Sequence, residues 1–126
     1  MTGERILVVE DNDKNMKLFR DVLVATGYRT LEATTGGEGI ELASEHIPDL
    51  VLMDIQLPDL NGVQALHRLR ENTRTATIPV LALTAQAMHG DRERFLSAGF
   101  DGYISKPVNV RDFIDTVREH CDRGLR

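Results

Sequence analysis

The chain has 126 residues, of which 41% are hydrophobic and 28% charged, with a formal net charge of -5 and a single cysteine. This length and balance suit one globular domain with its own core, and they exclude a disulfide framework, a low-complexity tract and broad electrostatic attraction to nucleic acid or anionic membrane. No apolar stretch reaches the roughly 20 residues of a spanning helix, and the opening MTGER lacks the apolar centre of a secretion signal, so a cytoplasmic protein without membrane association is expected.

Ile6 to Val9 is a short continuous apolar run, the pattern of a strand covered on both faces. Met16, Phe19 and Leu23 follow at helical spacing. Arg29 to Ala33 mixes polar and apolar residues and reads as a strand nearer the sheet edge. Gly36, Gly37 and Gly39 lack the full GxGxxG pattern and the GK[ST] of a phosphate loop, so they open a second helix, whose apolar face reads as Ile40, Ala43 and Ile47.

Leu50 to Met53 and Val80 to Leu83 are two more buried-strand runs. A third helix between them carries Ala65, Leu66 and Leu69, and a fourth, beyond the second run, carries Phe95, Leu96 and Ala98. Gly90 is read as part of that fourth helix and as a point that makes it easier to shift. Gly102 to Ser105 is a very short fifth strand. Asn109 with Asp112 three residues later marks a helix start, and Phe113, Ile114 and Val117 carry the last helix to about Cys121.

The order is therefore (βα)5: an α/β fold with one parallel sheet and, because crossovers are right-handed, helices on both of its faces. Sites in such sheets form beyond the C-terminal ends of the strands. Glu10 and Asp11 follow strand one, Asp54 ends strand three, Thr84 ends strand four and Lys106 follows strand five, so all five meet at one edge. His46, His67, His89 and His120 have no metal-ligand spacing, and solvated or helix-end roles are expected for them.

Gathered carboxylates repel one another and would hold protons unless a cation joins them. Only oxygen ligands are on offer, which favours a hard ion, and Mg²⁺ typically keeps waters beside one or two carboxylates. Lys106 next to the acids is a place for an incoming anion, and with Mg²⁺ it points to phosphoryl chemistry in which a carboxylate oxygen of Asp54 attacks in line. Taken one at a time the residues have plainer readings. Asp11, Asn12 and Asp13 can cap a helix, Lys106 can pair with Asp54, Thr84 can cap the following helix, Tyr103 can be an edge-strand aromatic, and Lys106-Pro107 can be a surface turn.

Taken together, "LVVEDN", "LMDIQLPDLNG", "LALTA" and "YISKP" resemble a response-regulator receiver domain over essentially the whole chain. That resemblance implies a CheY-like, flavodoxin-like three-layer fold with sheet order 2-1-3-4-5. It implies Asp54 as phosphoacceptor, Mg²⁺ held by Glu10, Asp11, Asp54 and the Gln56 main-chain carbonyl, and Lys106 on the phosphoryl group. It also implies a Thr84 and Tyr103 switch pair that reshapes the face of helix four, strand five and helix five, Gln56 and Gln86 as setters of phosphoryl lifetime, and a cis bond before Pro107.

The stretches "NMKLFRDVL", "DIQLPD" and "AMHGDRERFLSAGFDGYISKPV" are more particularly similar to stand-alone receivers of the DivK type, which act in bacterial cell-cycle phosphorelays. The implied protein is one receiver domain over residues 1–126 with no output domain. It takes a phosphoryl group from a histidine kinase or histidine phosphotransfer protein, signals to a separate effector, binds no nucleic acid, and is a monomer or weak dimer. It is not an enzyme beyond self-catalysed phosphoryl transfer and slow autodephosphorylation.

Other functions account for parts of the same pattern. A small-substrate phosphatase or phosphotransferase on a related fold would also use Asp54 as nucleophile, but the haloacid-dehalogenase pattern needs a second acid where Gln56 stands. An inactive receiver serving as a scaffold sits poorly with an intact acidic, threonine and lysine set.

Overall fold

The computed structural model of the protein describes residues 4–85 and 91–124, with side chains at all of these except 91, 92 and 122–124. Five strands alternate with five helices: β1 (Arg5–Val9), α1 (Asp13–Thr26), β2 (Arg29–Ala33), α2 (Gly36–His46), β3 (Leu50–Asp54), α3 (Gly62–Glu71), β4 (Val80–Thr84), α4 (Asp91–Ala98), β5 (Gly102–Ser105) and α5 (Val110–Gly124). The strands form one parallel sheet in the order β2-β1-β3-β4-β5, as the receiver resemblance implies. Every residue of β3 and β4 is buried, whereas β2 at one edge is largely open, which matches their apolar and mixed sequences.

Strand alternation splits the core into two layers. Leu7, Val9, Val51, Met53, Val80 and Ala82 pack with Ala43 of α2, Leu66 and Leu69 of α3 and Phe95 of α4. Ile6, Val8, Leu50, Leu52, Leu81, Leu83 and Ile104 face the other way, against Phe19 and Leu23 of α1 and Phe113 and Val117 of α5. Phe19 and Phe113 stack with centroids 5.3 Å apart and tie α1 to α5. A fully buried side chain of this size contributes about 1.5–3 kcal/mol relative to an exposed one, so these two layers carry the stability of the fold.

The helix ends are capped locally. Asn12 accepts from the Asn15 amide at the start of α1, and Gly27 ends that helix at φ 105°, where a side chain would be strained. Thr35 caps α2, a capping box of Asn61 and Gln64 starts α3, and Asn109 accepts from the Asp112 amide at the start of α5.

Some sequence readings move. Ile47 lies past the end of α2 at φ 46° and is 39% exposed; Gly36, Gly39 and Ala43 line the buried face instead. Leu96 points outward while Phe95 alone of its helical trio is fully buried. Helix α5 continues past Cys121 to Gly124. His120 is buried, with Nδ1 2.8 Å from the Thr116 carbonyl oxygen and Nε2 3.3 Å from that of Asp101. Gly90, Gln86 and His89 lie outside the described residues.

Candidate functional site

The strand ends hold the site from beneath. The Glu10 amide still bonds the Ala33 carbonyl at 3.0 Å, the Ile55 amide that of Leu83 at 3.1 Å, and the Lys106 amide that of Thr84 at 2.8 Å. Ladder bonds thus run past the last core residue of each strand and fix where the acids and the lysine emerge. The Lys106-Pro107 peptide is cis, as the resemblance implies. Glu10, Asp54 and Thr84 are all buried.

The segment after Asp54 folds back on itself. The Gln56 amide donates to Asp54 Oδ1 at 2.9 Å, Gln56 bridges to Asn61, and the Gly62 amide bonds the Ile55 carbonyl at 2.8 Å. A Cβ at Gly62 would stand 2.7 Å from the Asp54 carbonyl oxygen and 2.9 Å from Ile55 Cα, so α3 can begin this close to the acid only on glycine. Asp59 then reaches across to α2, where its two oxygens accept from the Gly36 and Gly37 amides at 2.7 and 2.9 Å. These bonds, the Gly37 amide foremost, hold the Asp59 carboxyl below its ordinary pKa.

Lys106 Nζ stands 2.7 Å from Glu10 Oε1 and 3.0 Å from Asp54 Oδ2. The bond to Asp54 is a hydrogen bond, whereas the shorter approach to Glu10 is an ion-pair contact outside hydrogen-bond geometry. Glu10 Oε2 accepts from the Asn12 amide at 3.1 Å, which leaves the buried Oε1 without a hydrogen-bond partner. Burial pushes Glu10 above its ordinary pKa, and the neighbouring Asp54 adds to this against the opposing pull of Lys106. For Lys106, burial alone would depress the ammonium, but its contacts with Glu10 and then Asp54 outweigh it and leave the pKa raised.

Glu10, Asp11 and Asp54 each offer a carboxylate oxygen, and these oxygens lie within 4.8 Å of one another, with Asp11 exposed at the mouth. One buried oxygen met only by the Lys106 ammonium, one exposed acid and one acid tied to its own loop form an all-oxygen, partly open set, which fits a hard divalent cation. The surrounding cleft measures ≈ 300 Å³ and brings Glu10, Asp11, Asp54, Gln56, Thr84 and Lys106 together. A slightly larger cleft of ≈ 340 Å³ at the other end of the sheet, beside Pro48 and Pro79, contains no such gathering of acids and lysine, so size does not select the site.

Of the residues singled out from the sequence, Tyr103 stands apart from the cleft; its ring packs beside that of Phe95 at 5.8 Å. Gln86 falls outside the described residues. Asn15 and Arg94 also line the cleft and were not anticipated, because nothing in their spacing connects a position on α1 or α4 with the strand ends.

Residues 6–118 match the response regulator receiver domain family. The polar-differentiation response regulator DivK of Brucella ovis is 48% identical over 115 residues, covering 91% of this chain and 94% of that protein. Among solved structures, the receiver domain of a sensor histidine kinase from Pseudomonas aeruginosa, which holds a magnesium ion in its active-site cleft, superposes with a TM-score of 0.88 at 33% identity over 96% of this chain and 99% of that one. A CheY-like receiver domain protein from Methanospirillum hungatei gives 0.86 at 31% over 98% of each chain. The chemotaxis protein CheY4 of Vibrio cholerae, 21% identical with a TM-score of 0.86 over 94% of this chain and 98% of that one, shares the fold.

Proposed function

Since the chain belongs to the response regulator receiver family, we propose that Asp54 accepts a phosphoryl group from a phosphohistidine on a histidine kinase or histidine phosphotransfer protein. The observation that carries this reading is the lysine seated between two buried acids: Lys106 lies 3.0 Å from Asp54 Oδ2. A phosphoryl group arriving at that oxygen meets the ammonium at once, and positioning with charge neutralisation is most of what such a transfer requires.

In the transfer, a lone pair of Oδ2 forms an O–P bond as the P–N bond of the donor breaks, and the imidazole nitrogen leaves with the P–N bonding pair. Oδ1 stays pinned by the Gln56 amide and keeps the carboxylate plane oriented. Glu10, Asp11, Asp54 and the Gln56 main-chain carbonyl would hold Mg²⁺, which when bound supplies charge neutralisation at the phosphoryl oxygens. Thr84, at the end of β4, donates its hydroxyl to a phosphoryl oxygen once the group is in place. Hydrolysis reverses the state: water attacks phosphorus, the O–P bond breaks, and the carboxylate and inorganic phosphate separate. Gln56, lining the cleft, and Gln86 set how readily that water reaches the site.

The output is a change in binding to a separate effector protein across the face of α4, β5 and α5, with Tyr103 on it. Similarity to DivK supports reading this switch as one of polarity and cell-cycle signalling, acting in the cytoplasm. The decisive experiment incubates the protein with Mg²⁺ and acetyl phosphate and reads intact mass. The parent is expected to gain one phosphoryl group; equal labelling of Asp54→Asn would defeat the assignment.

A further inference from the structure

Arg94 stands on α4 and is exposed, yet it lines the same cleft as Asp54, Thr84 and Lys106. Its guanidinium carbon sits 5.0 Å from the centroid of the Phe95 ring. Phe95 is 2% exposed and meets two further rings, Phe100 edge-on at 6.1 Å and Tyr103 tilted at 5.8 Å. Two side chains, Arg94 and Phe95, therefore connect the mouth of the acidic cleft to Tyr103 without passing through Thr84.

We propose that Arg94 is a charge sensor that links the phosphoryl group on Asp54 to Tyr103 through the ring of Phe95. The inference rests on the phosphoryl-acceptor reading above. Before transfer, Lys106 balances the inner oxygens of Glu10 and Asp54, and the guanidinium lies over an aromatic face, a modest attraction at an exposed position. Transfer replaces a singly charged carboxylate by a group carrying about two negative charges on three outward oxygens.

A planar arginine fork matches such oxygens bidentately, and that charge-assisted bond exceeds an exposed contact with a ring. Arg94 is drawn into the cleft and uncovers one face of Phe95. The ring, held edge-on by Phe100, repacks on the side it shares with Tyr103. Arginine thus converts a charge change at the cleft into a packing change on α4 and β5, the elements that carry output.

The test uses the full chain with fluorotyrosine at both of its tyrosines, Tyr28 and Tyr103, with Mg²⁺ and beryllofluoride as the phosphoryl mimic. Parent, Arg94→Gln and Arg94→Lys are each titrated to saturation. The parent is expected to shift the Tyr103 resonance while Tyr28 stays in place. Arg94→Gln is expected to retain about half of that shift or less, and Arg94→Lys, which keeps the charge without the fork, to fall between.

A full Tyr103 shift in saturated Arg94→Gln overturns the relay and leaves the acceptor reading intact. Loss of saturable binding in Arg94→Gln also overturns the relay, because the arginine would then serve anion binding itself. Failure of the parent to bind beryllofluoride, or equal binding by Asp54→Asn, overturns the acceptor reading instead.

Discussion

Thr84 and Tyr103 share one face of the sheet. Tyr103 stands in register with Ala82, two residues before Thr84, and alternate residues of a strand point the same way. Asp54 pairs with Leu83 and so follows the alternation of the opposite face. Asp54 and the pair Thr84 and Tyr103 therefore belong to different layers, and Thr84 follows Leu83, the register partner of Asp54. Thr84→Ala is expected to take up a phosphoryl group at Asp54 while losing most of the phosphorylation-dependent change in partner affinity. The check is partner binding with and without beryllofluoride, and an equal change in mutant and parent would refute it.

Gly62 permits the close approach of α3 to Asp54. Gly62→Ala places a methyl group 2.7 Å from the Asp54 carbonyl oxygen, a backbone atom that cannot swing aside. Overpacking of this kind typically costs about 1–3 kcal/mol. The free energy of unfolding read from denaturant titrations is expected to fall by that amount, and the displaced Asp54 is expected to label more slowly with acetyl phosphate.

Glu10 sets a pH dependence whose sign follows from its burial. Its folded pKa is raised, so the folded state binds the proton more tightly than the unfolded chain. Stability is then fully present below the ordinary value of 4.5 and is lost as pH rises through the raised folded value. Lys106, also raised, contributes stability present below 10.5 and lost only as alkaline pH passes its folded value. Metal-free protein is expected to weaken on the first of these windows, and Glu10→Gln to flatten that slope in urea titrations at stepped pH.

Mg²⁺ is expected to oppose this loss. A cation bound by the folded protein alone stabilises it by about 1.4 kcal/mol at tenfold excess over its Kd. Thermal unfolding with and without Mg²⁺ measures the effect, which is expected to shrink in Asp54→Asn because one of the three gathered carboxylates is gone.

Asp59 fastens the loop after β3 to the start of α2. Its depressed pKa means that the stabilisation is present above the ordinary carboxylate range and is lost as pH falls through the lower folded value. Parent and Asp59→Asn are expected to differ at neutral pH and to converge in acid. Amide exchange at Gly36 and Gly37 is expected to accelerate in the variant, since both amides lose a charged acceptor; unchanged exchange would show that the loop does not depend on this tie.

Several element details were not legible locally. Ile47 fits the helical spacing of α2, but the helix ends before it and the residue takes a left-handed conformation at 39% exposure. Periodicity reports which residues could share a face, and termination depends on the turn into β3. His120 lies on the buried side of α5, one residue before Cys121; a single histidine carries no sequence sign of whether carbonyl oxygens will meet its ring. Nothing in the local sequence of Asp59 signals that its carboxylate meets two amides at the start of α2, and nothing in that of Arg94 signals that it lines a cleft built at the strand ends.

The sequence by itself determined the order of strands and helices, through apolar runs of strand length and apolar residues at helical spacing. It also determined which acids, threonine and lysine fall at strand ends, because a parallel fold sends every strand's C-terminus to one edge. Tertiary structure alone decided the charge pattern within that edge: which oxygen of Asp54 faces Lys106, which oxygen of Glu10 takes the ion pair, and that an arginine from α4 lines the cleft. Those outcomes depend on distances of a few ångströms between elements far apart in the chain, where burial and Coulomb energy vary steeply and linear spacing carries no information.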